Sequence, residues 1–317
     1  MQRSSDVSMV YHWWGEQCDL LPLQNMRTPL IPAIATLRSV NKEIPIHVLD
    51  LSEGETSWGT LQSYLNFEVH RIKPSIKHKV KGYRYLSRLY DIWDFVNQQE
   101  CNSWIYSDTD VFWLKNPLPL SQKMDRFCFN RYNTGFFYFD KTTEAVQRFF
   151  DAFTSITNAC LYDEHYWYIV RQHSYTNEHH YLPDEAVCSY LYHRFSDWFN
   201  LVDRHEHFVL RHLGEDIENK IDVTKIKMLH CNGLMVDNPI SRDSMAVKHS
   251  RGIATLYFKE FYNNICTSYP DLAERMFSLV EREHFLPKQV SFCSDTLKEI
   301  LKTKCSEKLY HLTSHLF

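Results

Sequence analysis

Apolar positions recur along this chain in two rhythms. Short apolar runs of strand length alternate with longer stretches whose apolar residues fall three and four apart, the spacing of amphipathic helices. Residues 10–14 predict a first strand. Residues 29–40 predict a helix, with Thr28 as N-cap and Pro29 in its first turn. Residues 44–51 then read as a buried strand, which completes a βαβ unit. Further strands are expected at 67–72, 104–106, 127–130 and 135–140. A helix at 82–96 sets Tyr85, Leu89, Ile92, Trp93 and Val96 on one face, and another at 142–156 turns Phe149, Phe150 and Phe153 inward. Residues 160–181 follow neither rhythm. A helix is expected at 183–199 and a short strand at 227–230, with helices and loops from 236 onward. The pattern breaks most sharply at Asp237-Asn238-Pro239. The expectation is an α/β chain, with a mixed-sheet domain over residues 1–238 and a helical C-terminal extension packed on it over 239–317.

Composition narrows the chemistry mostly by exclusion. Hydrophobic residues are 44% and charged residues 23%, ordinary for a soluble globular protein, while aromatics reach 15%. Only 8 Gly occur, and neither G-x-G-x-x-G nor G-x-x-x-x-G-K is present, which argues against a dinucleotide fold and a P-loop. Net charge is −4, so no global basic field advertises nucleic acid. No run of apolar residues is long enough to span a membrane, and the polar residues 1–8 lack a signal-type core. Nine scattered cysteines without C-x-x-C spacing suit reduced thiols. Together these imply a cytoplasmic location, or a host cytoplasm if the protein is viral.

The most informative segment is Trp-Ile-Tyr-Ser-Asp-Thr-Asp at 104–110. An apolar strand ends in two carboxylates one residue apart. Like charges that close disfavour joint ionisation unless a cation lies between them, and oxygen-rich pairs suit Mg²⁺ or Mn²⁺. The plain alternative is a turn in which Asp caps a neighbouring element. Four more pieces accompany the pair: Tyr83 to Tyr90 with Arg84 and Arg88, Asn133-Thr134-Gly135, Pro183-Asp184-Glu185, and His230-Cys231-Asn232-Gly233.

In this order the five pieces resemble the GT-A class of nucleotide-sugar glycosyltransferases, most nearly the retaining glycogenin-like and capsular-sugar-transferase branches. The resemblance covers roughly residues 9 to 236. It implies that Asp108 and Asp110 of a D-x-D motif hold Mn²⁺ or Mg²⁺ on the donor diphosphate, with His230 of an H-x-x-G motif as third ligand. It implies donor contacts from Arg88, Arg84, Thr134, Gly135 and Gly233, with Asn133 against the sugar. Trp13 and Trp14 are candidates for stacking on the donor base at the end of the first strand, although core packing is the commoner use of such residues. The Lys-Pro-Trp that usually follows the glycine is replaced by Val236, Asp237 and Asn238, so Lys248 or Arg251 would have to cover the phosphate. Asp184 and Glu185 are the candidate carboxylates for sugar contact or acceptor deprotonation, against a plain helix start favoured by the dipole.

The expected acceptor is a glycan. Seven basic residues and no acidic one lie between Arg71 and Arg88 (Arg71, Lys73, Lys77, Lys79, Lys81, Arg84, Arg88). They leave open a polyanionic acceptor, such as the hydroxylated DNA bases that phage enzymes glycosylate. A Mg²⁺-dependent phosphate-ester hydrolase is the competing enzyme class, and a lectin-like module the non-catalytic one. His205-Glu206-His207 lacks partners for a zinc site and is set aside. The Phe136 to Phe139 run reads as core strand.

Overall fold

The computed structural model of the protein describes residues 6–14, 30–52, 62–63, 65–76, 83–131, 133–173, 184–209 and 225–230. In chain order these contain strand β1 (Val7–Trp13), helix α1 (Leu30–Val40), strands β2 (Ile46–Asp50) and β3 (Glu68–Arg71), and helix α2 (Tyr83–Asn97). Strands β4 (Ser103–Ser107), β5 (Val111–Trp113), β6 (Phe127–Asn130) and β7 (Asn133–Asp140) follow. Then come helices α3 (Glu144–Tyr162), α4 (Glu164–Arg171) and α5 (Asp184–Arg194), and strands β8 (Phe199–Leu201), β9 (Phe208–Val209) and β10 (Met228–His230).

Seven strands form one sheet in the order β3-β2-β1-β4-β7-β6-β8. The first four lie parallel, whereas β7 runs antiparallel to both β4 and β6. This is the expected α/β class, with a Rossmann-like start and a mixed sheet. Strands β5, β10 and β9 form a second, three-stranded sheet.

The inner strands of the large sheet are buried on both faces, and the period of two divides their side chains between two cores. Met9, Tyr11 and Trp13 of β1 pack with Ile34 and Leu37 of α1 on one side. Val10, Trp104 and Phe137 pack with Leu89 of α2 and Phe149 of α3 on the other. Strands covered on both faces read as continuous apolar runs, which explains Phe136-Phe137-Tyr138-Phe139, all four fully buried. The Phe127 and Phe149 rings stack with centroids 3.9 Å apart, so much of the aromatic content lies beneath α2 and α3.

Three expectations change. The helix expected at 183–199 ends at Arg194. A 3-10 turn over Ser196–Trp198 follows, where Ser196 and Asp197 are poor helix formers, and Phe199 then joins the sheet opposite Phe127. The unassigned stretch after 160 is helical through Arg171. Asp163 ends α3 and caps α4 by accepting a hydrogen bond from the His165 amide at 2.8 Å. The strands β5, β8 and β9 are too short to register as a pattern.

Among the described residues, no helix is long and apolar enough to cross a membrane, and Cys101, Cys128, Cys160 and Cys188 are free thiols. The 239–317 extension and its boundary lie outside the described residues, as do Gly233, Lys248 and Arg251.

Candidate metal centre

Strand register brings the site together. Ser107, the last residue of β4, pairs with Phe136 of β7, and the next amide, Asp108 N–H, donates to the Gly135 carbonyl at 2.7 Å. Asp108 therefore sits beyond the carboxyl end of a parallel strand, where ligands of open α/β sheets bind. Two residues on, Asp110 leads into β5, whose Val111 pairs with His230 at the end of β10. Residues more than a hundred positions apart in the chain thus converge through two sheets.

Asp108, Asp110 and His230 each present one ligand atom, all within 4.8 Å of one another. His230 Nε2 lies 3.1 Å from Asp110 Oδ1 and 3.7 Å from Asp108 Oδ2. The imidazole is buried at 1% exposure, whereas Asp108 keeps a quarter of its side chain open. Gly135 makes the space. A Cβ there would stand 2.1 Å from His230 Cε1 and 2.6 Å from Asp108 Oδ2, so only glycine lets the backbone approach. Two carboxylate oxygens and one imidazole nitrogen around such a cradle fit Mn²⁺ or Mg²⁺.

The two oxygens of Asp108 have different partners. Oδ1 is held from behind by Arg88 Nη1 at 2.6 Å and by the Tyr106 hydroxyl, leaving Oδ2 toward Asp110 and His230. Arg88 is the hub of the network. Its Nη2 donates to Thr134 Oγ1 at 2.9 Å and to Asp184 Oδ2, ninety-six residues away. Burial opposes the charge on Arg88, but Asp108 and Asp184 outweigh it, so the guanidinium stays protonated. Burial pushes the Tyr106 hydroxyl well up, with Asp108 adding to it, and keeps that hydroxyl a donor.

Arg88 is therefore no surface residue, being 5% exposed. Asp184 does begin α5, as the plain reading had it, yet its buried carboxylate turns to Arg88. Burial raises its pKa against the pull of Arg88. For Glu185, half-buried, burial and then the charge on Asp184 raise the pKa to about 8. Asn133 Oδ1 accepts from the Gly135 amide at 2.7 Å, and Asn133 and Thr134 are both buried beside the cradle.

For Trp13 the structure takes the core-packing alternative rather than the donor contact. Odd residues of β1 face α1, so its indole is fully buried in that core. Trp14, half-buried, carries the Arg84 guanidinium over its ring at 4.9 Å, one helical turn before Arg88.

Sequence reasoning also missed Tyr106 and His207. The three residues 205–207 point to three different partners. His205 Nδ1 pairs with Asp203 at 2.8 Å. Glu206, 2% exposed, accepts from Lys227 Nζ at 2.9 Å and the Tyr138 hydroxyl at 2.9 Å. His207 Nε2 meets His230 Nδ1 at 2.9 Å with the rings stacked. The sequence signal for His207 is this His-Glu-His spacing, which suggests a zinc site of its own rather than a partner for His230.

No protein-family profile matches the chain, and no curated sequence does. Among solved structures, it is similar to the apo-form glycosyltransferase GlyE of Streptococcus pneumoniae, with 14% identity over 70% of this chain and 54% of that one, TM-score 0.46. It is also similar to the galactosyltransferase LgtC, solved with donor and acceptor sugar analogues, with 12% identity over 78% and 95%, TM-score 0.46. Mouse xyloside xylosyltransferase 1 shares 11% identity over 71% and 96%, TM-score 0.44. The chain thus spans about half the length of GlyE. At this depth the likenesses describe a partly shared backbone course, not chemistry.

Proposed function

We propose that this chain is a metal-dependent glycosyltransferase that moves a sugar from a nucleotide-diphosphate donor to an acceptor hydroxyl. The observation that carries the reading is the convergence of Asp108, Asp110 and His230 around the Gly135 cradle at the carboxyl end of β4. When bound there, Mn²⁺ or Mg²⁺ supplies Lewis-acid charge against a departing diphosphate. The chain's own residues orient the rest. Arg88 and Tyr106 fix the Asp108 carboxylate, so that one oxygen is committed to them and the other to the centre. For His230 to offer the Nε2 lone pair, its Nδ1 must carry the proton and donate to His207.

The donor sugar would lie against Asn133, Thr134 and Gly135, with Asp184, Glu185 and Arg84 nearby. Asp184 is turned into Arg88, an arrangement that suits sugar positioning better than proton abstraction. A Glu185 carboxyl with a pKa near 8 is mostly neutral at pH 7 and suits donation to a sugar hydroxyl. An inverting reaction would call on a free carboxylate base, whereas Asp184 is engaged by Arg88 and Glu185 is held toward its neutral form, a combination that fits retention better. A phosphate-ester hydrolase would be better served by a third carboxylate where this cluster has an imidazole. Arg71 donates to the Ser52 carbonyl, Arg84 covers Trp14, and Arg88 is buried. These three are thereby engaged within the fold, while Lys77, Lys79 and Lys81 lie outside the described residues, and the acceptor we propose is a glycan.

The test is release of nucleoside diphosphate from a panel of nucleotide-sugars with Mn²⁺ and glycan acceptors. Wild-type protein should turn over at least one donor, and Asp110→Asn should lose more than tenfold in rate, at least about 1.4 kcal/mol of barrier, with an unchanged melting temperature. A variant that keeps over a tenth of the rate would remove Asp110 from the machinery.

A further inference from the structure

A second group of ligand-type side chains meets on β3, the outermost strand of the large sheet among the described residues. Strands β2 and β3 are parallel, with His47 opposite Glu68 and Leu49 opposite His70. Side chains two apart on a strand share a face. His47, Glu68 and His70 therefore all project to the α2 side.

Their donor atoms form a compact triangle. His47 Nδ1 and His70 Nε2 are 3.0 Å apart, and Glu68 Oε2 lies 3.5 Å from the first and 3.6 Å from the second. A tetrahedral Zn²⁺ with bonds of about 2.0–2.1 Å needs donors roughly 3.3 Å apart. The observed separations bracket that value without rearrangement.

The surroundings favour a held site over a chance encounter. Phe95 stands 5.6 Å from the His47 ring and 4.6 Å from the His70 ring, and Trp104 stands 5.4 Å from His47. These aromatic walls restrict both imidazoles from the core side. Glu68 is 70% exposed, so solvent and a free ion reach the cluster from its side. Two nitrogens and one oxygen select Zn²⁺ over Mn²⁺, the reverse of the oxygen-rich Asp108 centre.

We propose that His47, Glu68 and His70 form a second divalent-metal site that takes Zn²⁺ and staples the edge strand β3 to β2. An ion bound to the folded chain alone stabilises it by mass action, and an edge strand is where a sheet most needs fastening. This assignment is independent of the glycosyltransferase reading.

The experiment uses the full chain, stripped with chelator, in an Asp110→Asn background that disables the first centre. Zn²⁺ titrated calorimetrically should bind one ion per chain at micromolar concentration and raise the melting temperature. Mn²⁺ should bind at least about a hundredfold more weakly. His70→Gln and Glu68→Gln, both at partly or largely exposed positions, should each weaken Zn²⁺ binding about tenfold or more while metal-free melting stays near that of the parent. Absence of Zn²⁺ binding at 100-fold above the micromolar range, or unchanged affinity in both variants, would overturn the site.

Discussion

The Asp108 centre and the His47 cluster use the same kinds of side chain but are assembled in opposite ways. Asp108, Asp110 and His230 come from the ends of β4, β5 and β10 and meet across two sheets. Polar neighbours support two of the ligands: Arg88 and Tyr106 stand behind Asp108 and His207 behind His230, with Gly135 beneath. The His47 cluster sits on two adjacent parallel strands, set by one stretch of register, with an exposed carboxylate and aromatic walls in place of a polar second layer. A centre whose ligands are backed by polar outer partners is suited to chemistry, because those partners fix ligand direction. A shallow one on a sheet edge is suited to fastening.

The largest expected effect that would break this contrast is at the floor of the first centre. Gly135→Ala places a methyl group against His230 and Asp108 and should abolish Mn²⁺ binding and transfer, with a stability loss of about 1–3 kcal/mol from overpacking. Zn²⁺ binding at the edge should be untouched. Mn²⁺ and Zn²⁺ titrations of the one variant measure both, and normal Mn²⁺ affinity would show that the cradle is not where the ion sits.

A smaller effect sharpens the role of the outer partner. His207→Phe keeps the stacked ring but removes the nitrogen facing His230. Mn²⁺ affinity should fall roughly 10- to 100-fold, while the apparent affinity for Zn²⁺ at the edge holds. If Mn²⁺ affinity is unchanged, His207 serves packing alone.

A third expected effect concerns pH. Glu185 has a folded-state pKa of about 8 against an ordinary 4.5, raised first by burial and then by Asp184. A carboxyl whose folded pKa is raised contributes stability that is complete below its unfolded pKa and is lost as pH rises through the folded one. Unfolding free energy should therefore decline from about pH 4.5 to 8, and Glu185→Gln should flatten that decline. Parallel slopes in denaturant melts of the two proteins would refute the shift.

Much of the centre could be read before any coordinates. The acidic pair stands out because two carboxylates end an apolar run, Gly135 because it follows Asn133-Thr134, and His230 because it closes a short apolar strand. Arg88 was named as well, but as a group reaching toward a ligand, whereas the fold buries it between Asp108 and Asp184. Trp13 went the other way, into the core, because strand parity decides which of two adjacent tryptophans faces α1. His47, Glu68 and His70 carry no spacing signal, because they lie on two strands that only the register sets side by side.

Local chemistry is what this sequence determined by itself. Hydrophobic period, caps and turn residues are short-range, so most strands and helices, the α/β class and the acidic pair are written in neighbouring residues. Which remote side chains meet is a matter of how the elements pack. The Val111 to His230 pairing, the β2–β3 register and the closeness of His207 to His230 depend on strand alignment between segments far apart in the chain. Alignment is chosen by burying whole faces together, a collective outcome of the core that no single stretch of residues encodes.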